Sequence, residues 1–339
     1  MGGATTPSRP ATIWAAIALA FVIACAGLTA TTLALVHTKP FPVVAPRRTL
    51  SFSEFRRLQA AGHLPARHTA GGVPRWVFRT AGQAYGQWTP RVGTALASFE
   101  QPGWVQAYAT SDECQAFVRE EYPQYAAEYD VLVPGAFRAD VWRLLCLLHY
   151  GGVYADIGML MRDSATTLED VLLDASFVGS QDQAPAVGIM QGFLATRGPG
   201  APLVQAFVDR VVHNIRGRLY GSSSLNITGP TSLTEPFNAY MGFPAGAPIR
   251  AGAYTSPDGS DRVRMLKYKS FVIRDAGGRR LLWTKFPGYY QEMYGGAARA
   301  RGGDAPRCYY RRLWDARSVF RDDAAVQDKI AHGKAPEAC

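Results

Sequence analysis

The sequence lacks the residue patterns of several common kinds of binding site. It contains no C-x-x-C and no spacing of Cys and His that suits zinc. It also has no sustained basic run interleaved with aromatic residues, so only the net charge of +9 favours a nucleic-acid partner. We therefore expect neither a zinc centre nor a nucleic-acid partner.

Cysteine is scarce, with 5 in 339 residues, and its use does not define the cellular compartment. Cys25 lies in a long apolar stretch, and Cys146 lies in an apolar predicted helix. The remaining three, Cys114, Cys308 and Cys339, can form one disulfide, although none is required.

The composition is that of a folded protein. With 47% hydrophobic and 12% aromatic residues, the chain can bury the core of one large domain or of two small ones. The sequence pI of about 9.4 favours anionic partners such as phosphates or acidic membrane surfaces.

Charge is absent from one long stretch, residues 12–36. As a helix this stretch would extend about 37 Å at about 1.5 Å per residue, enough to cross a bilayer with some tilt. A cleavable signal peptide is the alternative, because small residues are frequent there. We favour an uncleaved transmembrane anchor, since the stretch exceeds the usual signal core of about 7 to 15 residues.

The orientation of this anchor has two conflicting indications. Arg9 precedes the stretch, whereas Lys39, Arg47 and Arg48 follow it, so the count of positive charges places the C-terminal bulk in the cytosol. The N-x-[ST] pattern at residues 226–228 instead favours a secretory environment.

The chain on either side of the anchor divides into short segments. Residues 1–11 form an N-terminal tail, and residues 37–65 are expected to be a stalk, because their proline-rich start resists helix formation. Within the stalk, residues 51–61 have the pattern of a short helix capped by Ser51 or Ser53.

Residues 66–339 are expected to form the folded domain. Its first part alternates β-branched and aromatic runs with amphipathic ones. The runs predict strands at 73–78 and 104–108 and helices at 87–99 and 113–122. This alternation indicates an α/β fold with a mostly parallel central sheet.

The most informative stretch follows. Residues 135–150 predict a buried helix, because apolar residues occupy most of its circumference, and the Gly-Gly pair after them ends it. Residues 153–157 then predict a strand. Asp140 and Arg143 are neighbours on the helix surface, while Asp156 arrives at the end of the strand.

These three ionisable residues have two interpretations. In one, Asp140 and Arg143 form a buried ion pair that satisfies itself, and Asp156 caps a turn. In the other, the three line a ligand site, because ligands of open α/β sheets bind where strands end, and carboxylates and arginine hold hydroxyl groups and phosphates there. The residues alone leave both interpretations open.

The order of the residues favours the second interpretation, because it resembles the motif of a known enzyme family. Residues 139–156, A-D-V-W-R-L-L-C-L-L-H-Y-G-G-V-Y-A-D, resemble the core motif of family 32 glycosyltransferases, A-D-x-x-R-Y-x-x-L-x-x-x-G-G-x-Y-x-D-x-D. That family includes the yeast α-1,6-mannosyltransferases that start outer chains and the sphingolipid mannosyltransferases. Weaker similarity covers residues 73–80, the T-G-P turn within 227–230, and residues 289–292 and 313–314.

The resemblance implies a GT-A fold, a nucleotide-sugar donor and transfer with retention of anomeric configuration. It implies that Asp156 is the catalytic carboxylate, the first of the D-x-D pair, and that Tyr154 frames the pocket. The donor-binding residues that it predicts are Asp140, Arg143, Tyr154, Asp156, Gly229 and Pro230. The acceptor would be a glycan, a glycolipid or a glycoprotein, with the domain on the lumenal side of a single-pass membrane protein.

The motif departs from the family at its metal ligands. Gly158 stands where relatives have the second carboxylate of D-x-D, and Tyr309 stands where many have a histidine. We therefore expect no protein ligand set for the manganese or magnesium ion of the family. The opening strand also differs, with Phe78 and Ala81 in place of His and Trp.

A sugar transferase without that metal must stabilise the leaving diphosphate by other means. The cations that we predict for this role lie near the C-terminus, at Lys285, Arg307, Arg311 and Arg312. The alternative is a catalytically inactive GT-A fold that acts as a sugar- or partner-binding module. A third hypothesis is a purely structural membrane-anchored protein.

Overall fold

Helices and strands alternate through the described chain, which comprises residues 46, 48–182, 188–285 and 310–332 of a computed structural model. These residues belong to the unit Val43–Cys339. The predicted anchor, 12–36, lies outside them, as do Cys308, Cys339 and Arg307. The longest described helix has 16 residues, and none of the described helices combines the length and apolarity needed to cross a bilayer.

Eleven strands form one sheet among the described residues. They are β1 (Thr49–Ser51), β2 (Trp76–Thr80), β3 (Val105–Ala109), β4 (Gly152–Ala155), β5 (Leu160–Met161), β6 (Phe177–Gln181), β7 (Phe193–Thr196), β8 (Gly252–Thr255), β9 (Arg262–Lys269), β10 (Val272–Arg274) and β11 (Arg280–Trp283).

The α-helices of the same ranges cover both faces of this sheet. They are α1 (Phe52–Ala60), α2 (Pro90–Ala97), α3 (Ser111–Glu121), α4 (Ala126–Asp130), α5 (Gly135–Tyr150), α6 (Leu168–Leu172), α7 (Pro202–Arg216), α8 (Thr234–Tyr240), α9 (Tyr310–Asp315) and α10 (Ala324–Ala331).

The sheet is mixed, so the prediction of a mostly parallel sheet is wrong. The order is β1-β3-β2-β4-β7-β6-β9-β10-β11-β5, with β8 beside β9. The pairs among β1, β3, β2 and β4 are parallel, as is β6 with β9, whereas the other pairs are antiparallel. The alternation that suggested parallel strands belongs to the first half of the chain, and the short connections around β9, β10 and β11 can join only antiparallel strands.

The folded domain begins earlier than predicted. β1 pairs with β3 at the edge of the sheet, and Phe52 and Phe55 of α1 are buried in the main core. Ser51 caps α1 by accepting a hydrogen bond from the Glu54 N–H at 3.2 Å. The end of the predicted stalk, from Thr49 onward, therefore belongs to the domain, because its aromatic side chains complete the core.

The two glycines after α5 make an abrupt turn into β4. Gly151 and Gly152 have φ angles of 67° and 90°, a region that favours glycine. A Cβ at Gly151 would lie 2.9 Å from Gly198 Cα, and one at Gly152 would lie 2.8 Å from the Trp76 carbonyl oxygen. Only glycine therefore lets β4 start directly at the end of α5, which brings the strand end back beside the helix.

The buried cysteines carry no disulfide. Cys114 and Cys146 are both free, and burial raises the pKa of each thiol above its ordinary value. The Cys114 sulfur lies 3.2 Å from the Thr80 hydroxyl in the core. Cys114, one of the three cysteines that the sequence left as possible disulfide partners, is thus a free thiol.

Candidate donor-sugar site

Helix α5 and strand β4 bring three ionisable side chains together. The Arg143 guanidinium Nη2 lies 3.1 Å from Asp140 Oδ1 and 3.4 Å from Asp156 Oδ1. Tyr154 donates a hydrogen bond to Asp156 Oδ1 at 2.9 Å, and its ring lies 4.5 Å beneath the guanidinium. One arginine thus links an acid on the helix to an acid at the strand end.

This cluster is buried on the helix side and open at the strand end. The exposed fraction of the side chain is 14% for Asp140 and 7% for Arg143, but 43% for Asp156. If Asp140 and Arg143 formed only a structural ion pair, Arg143 would not need to contact the exposed Asp156 as well. Solvent can therefore reach the site through Asp156.

The two buried charges influence each other's protonation. Burial raises the pKa of Asp140 to about 6, against the opposing effects of Arg143 and of the Thr228 hydrogen bond. Burial lowers the pKa of Arg143, but Tyr154, Asp140 and Asp156 outweigh it and hold that pKa above its ordinary value. At neutral pH the site therefore holds an ionised Asp140 and a cationic Arg143.

We expect two opposite pH dependences from Asp140. Because its pKa is raised from 3.8 to about 6 in the folded protein, its contribution to stability is fully present below pH 3.8 and is lost as the pH rises through about 6. Donor binding should instead weaken below about pH 6, where the protonated acid no longer pairs with Arg143. The measurements are denaturant unfolding and donor titration between pH 4 and pH 8.

Asp140→Asn supplies the reference for this prediction. The difference in unfolding free energy between the wild type and this variant should decline between pH 4 and pH 6 and then stay level. A difference that does not change over this range would show that Asp140 keeps its ordinary pKa.

The T-G-P turn completes the buried side of the cluster. The fully buried Thr228 hydroxyl donates to Asp140 Oδ2 at 2.8 Å, and the Gln191 amide donates to the Thr228 carbonyl at 2.5 Å. Gly229 and Pro230 follow in the same turn, and the Pro230 carbonyl accepts from the Ile189 N–H at 3.2 Å. The N-x-[ST] pattern at 226–228 is thus part of a packed turn whose threonine is engaged.

Arg79 lies beneath the turn that follows β4 and binds its backbone. This fully buried arginine donates through Nη2 to the carbonyls of Asp156, Ile157 and Met159 at 3.0, 3.2 and 3.0 Å. Its guanidinium lies 4.4 Å from the centre of the Phe99 ring, and burial lowers its pKa to about 10. Arg79 therefore fixes the backbone of the turn that carries Asp156.

Sequence reasoning had not assigned Thr228, Arg79 or the neighbouring Gly192 to the site. Thr228 was part of the quoted T-G-P motif, so its hydroxyl could have been proposed as a partner for a carboxylate. Arg79 is a single charge inside a strand in which every residue is buried, a pattern that points to a specific partner. Gly192 carries no such signal, because only its position beside β4 gives it a role.

Gly192 lies directly against the catalytic candidate. Its carbonyl accepts from the Asp156 N–H at 2.8 Å, and a Cβ added to it would lie 2.8 Å from Asp156 Oδ2 and 3.0 Å from Met159 Cε. Both atoms end flexible side chains, so they can move. We expect Gly192→Ala to fold, to lose about 1 kcal/mol of stability, and to lower sugar transfer by about tenfold through displacement of the carboxylate.

Gly198→Ala is the matched control for this change. Nothing lies within 4 Å of the Cβ that it would add. Comparison of kcat/KM for the two variants isolates the displacement of Asp156, and equal activity of both would contradict it.

The described residues do not fit the metal ion of the resembling family. Gly158 offers no side-chain ligand, and Asp156 Oδ1 already contacts Tyr154 and Arg143. Asp163, the next acid, accepts from the Thr166 hydroxyl at 2.8 Å and from its N–H at 2.9 Å. No group of three or more His, Cys, Asp or Glu residues suited to a metal occurs in the described ranges.

The predicted diphosphate cations lie on other elements. Lys285 follows β11, whereas Arg311 and Arg312 are exposed on α9. This helix packs near the start of α5, where the rings of Tyr310 and Phe137 are 6.0 Å apart. The structure thus unites Asp140, Arg143, Tyr154 and Asp156, and leaves the role of the C-terminal cations a prediction.

Two aromatic side chains that could have served a ligand, Trp314 and His149, are partly buried against other parts of the chain. Trp314 donates its indole N–H to the Tyr220 carbonyl at 2.9 Å. His149 packs against Phe117 and Tyr150, with ring centres 5.5 and 4.4 Å away, and burial lowers its pKa.

Comparison with known proteins identifies the region that carries the cluster. Residues 86–177 match the family model described as the glycosyltransferase sugar-binding region containing DXD motif. This range includes α5, β4 and all four clustered side chains. The chain therefore contains a glycosyltransferase-like domain, whose residues 86–177 are similar to a sugar-binding region.

Two solved structures are similar to the chain. The PaToxG glycosyltransferase is 12% identical, with a TM-score of 0.37 over 55% of this chain and 76% of that one. The ligand-free glycosyltransferase domain from the YGT toxin is 14% identical, with a TM-score of 0.24 over 44% of this chain and 43% of that one. This chain thus spans less than half of the second structure. No curated protein matches the sequence significantly.

Proposed function

We propose that this protein is a glycosyltransferase that moves a sugar from a nucleotide-sugar donor to a glycan, glycolipid or glycoprotein acceptor with retention of configuration. The observation that carries this proposal is the position of Arg143 between a buried and an exposed carboxylate. That arrangement lies within the part of the chain that matches the sugar-binding family model.

Each member of the cluster has a distinct task in this proposal. Asp156 accepts hydrogen bonds from hydroxyl groups of the donor sugar, because it is the exposed carboxylate. Arg143 holds Asp156 and Asp140 in place and supplies fixed positive charge close to the reacting sugar. Tyr154 orients Asp156 through its hydroxyl. These groups are fixed before the donor arrives, so little energy is spent on ordering them.

The leaving diphosphate needs positive charge of its own. The described acids do not form a metal site, so we propose that Lys285, Arg311 and Arg312 contact the diphosphate. The diphosphate site can be tested separately from the sugar site, since its residues lie after β11 and on α9.

Calorimetric titration with a panel of nucleotide sugars tests the sugar site. At least one donor should bind the wild type, and Asp140→Ala and Arg143→Ala should lose that binding while remaining folded by circular dichroism. Binding of no donor at all would refute the proposal. Hydrolysis of the bound donor, measured with and without EDTA, tests the role of the cations, and strong inhibition by EDTA would refute it.

A catalytically inactive sugar- or partner-binding module is the second candidate. Gly158 at the second position of the D-x-D pair favours it, because that position supplies a metal ligand in the resembling family. Such a module would bind a free glycan and ignore nucleotides, whereas a transferase would bind the nucleotide sugar and release the nucleoside diphosphate.

We also propose that residues 12–36 anchor the protein in a membrane as a single-pass segment, with the domain on the lumenal side. The uncharged stretch supports this proposal. Digestion of intact vesicles with a protease distinguishes the two orientations, because only a cytosolic domain would be cut.

A further inference from the structure

The last strands of the sheet carry a row of positive charges. In the pairing of β9 and β10, Lys267 lies opposite Arg274. In the pairing of β10 and β11, Arg274 lies opposite Arg280, after a register shift between Ile273 and Arg274. Side chains directly opposite on paired strands project from the same face of a sheet. Lys267 and Arg274 therefore share a face, and the exposed Arg280 lies next to Arg274 on the third strand.

A fourth cation extends this row onto the next strand. Arg162 follows β5, which pairs with β11, and its N–H donates to the Leu281 carbonyl at 2.9 Å. Its guanidinium lies 5.8 Å from the centre of the Trp283 ring. Because adjacent strands are about 4.8 Å apart, the four positions span about 14 Å.

Along β9 and β10, Lys267, Lys269 and Arg274 project from the face opposite Tyr268 and Ile273. Tyr268, Ile273 and Leu282 are buried in a hydrophobic cluster on that opposite side of the sheet. Val263 and Met265, which share the face of Lys267, are buried in the main core. Lys267 and Arg280 are exposed, as is Lys269 two positions along β9. We call the face formed by Arg162, Lys267, Lys269, Arg274 and Arg280 the basic face.

The described residues give this face no carboxylate within ion-pair distance. Arg274 donates instead to the Gly278 carbonyl at 3.3 Å, and Asp275, the acid of the hairpin, accepts from the Arg279 N–H at 2.8 Å. Elsewhere on the surface, arginines such as Arg216 and Arg218 do have acidic partners. Like charges directly opposite each other destabilise a sheet, so an anionic partner outside the chain would relieve this arrangement.

An exposed aromatic ring protrudes beside the basic face. Ser270 and Phe271 form the two-residue turn between β9 and β10, with φ angles of 52° and 62°. Turns with two such angles favour Asn-Gly, yet this one places a phenylalanine, 47% exposed, at its tip. Phe271 thus has a backbone conformation that is unfavourable for a residue with a large side chain, and its ring lies close in sequence to Lys269.

We propose that the basic face docks on a membrane surface bearing anionic headgroups, with Phe271 entering the interface. Cations next to an anionic bilayer and an apolar ring at a protruding tip are complementary to such a surface. The protruding ring favours a membrane over a polyanion in solution, which would not provide an apolar layer. This docking is independent of sugar transfer, and it requires anionic headgroups in the leaflet that faces the domain.

Hydrogen exchange of the full chain in lipid nanodiscs tests this docking without relying on activity. The nanodiscs contain phosphatidylcholine alone or with phosphatidylglycerol, so an N-terminal anchor would act equally in both. Amides of residues 262–283 should exchange more slowly only with phosphatidylglycerol. Equal exchange in both lipids would overturn the proposal.

Variants of the face and of the tip sharpen this test. Lys267→Gln with Lys269→Gln should weaken docking by about 25-fold, at about fivefold for each cation removed. Phe271→Gly should weaken it as well while raising the melting temperature, since glycine suits the turn. Arg57→Gln with Arg67→Gln, which removes two exposed cations elsewhere, should leave docking unchanged.

Two other outcomes also count against a membrane partner. Loss of protection in the control variant to the same degree would show that net charge alone is responsible. Protection by soluble heparin or RNA but not by phosphatidylglycerol would assign the face to a polyanion instead.

Discussion

Replacement of Asp156 by asparagine is expected to leave the fold intact and to lower sugar transfer by at least about a hundredfold. The side chain is 43% exposed, and asparagine can still accept the Tyr154 hydrogen bond through its carbonyl oxygen. What the variant loses is the negative charge that faces the donor. Initial rates of nucleoside diphosphate release, measured at saturating donor, give the effect.

Asp209→Asn is the control for the loss of one exposed carboxylate, because Asp209 lies on α7 and contacts Gln205. It should transfer sugar at the wild-type rate. If Asp156→Asn also transferred at the wild-type rate, with the donor still bound, then Asp156 would have no catalytic role.

Replacement of Arg143 by methionine should have the largest effect on both stability and function. The change leaves Asp140 buried without its cation, which typically costs about 3 to 5 kcal/mol. It also removes the link to Asp156, so donor binding should fall below detection. Urea unfolding and calorimetric titration at pH 7.5 measure the two effects.

A double variant separates these two consequences. Asp140→Asn in the Arg143→Met background removes the unpaired buried charge, so it should restore much of the stability without restoring donor binding. Arg262→Met, which breaks the exposed pair with Asp174, should change neither quantity appreciably. Donor binding by the stable double variant would show that the cluster is structural.

The match between predicted and observed structure is closest where short-range rules apply. The helix predicted at 135–150 has those bounds, and strand β3 and helices α2 and α3 lie within or close to their predicted ranges. The strand predicted at 73–78 is β2, which lies later, at 76–80, and β4 ends before Asp156. Strand ends depend on pairing with neighbours, which a local pattern does not contain.

The mixed sheet shows a limit of the same kind. Strand and helix alternation in the first half correctly indicated parallel pairing of β2, β3 and β4. The insertion of β7 between β4 and β6, in the opposite direction, could not be read from alternation. The choice of strand neighbours is made by packing across the whole domain.

The sequence by itself determined the central motif: a buried helix, a glycine end and a strand that places Asp156 beside Asp140 and Arg143. Those features depend on helical spacing and on the φ angles of Gly151 and Gly152, which act within a few residues.

Only the tertiary structure decided the surroundings of that motif. Thr228 reaches Asp140 from 88 positions away, and Arg79 reaches the Asp156 carbonyl from 77 positions away. The pairing of the last strands likewise brings together the cations of the basic face. Such contacts arise because buried polar groups must find partners wherever the folded chain brings them, and sequence distance carries no record of that choice.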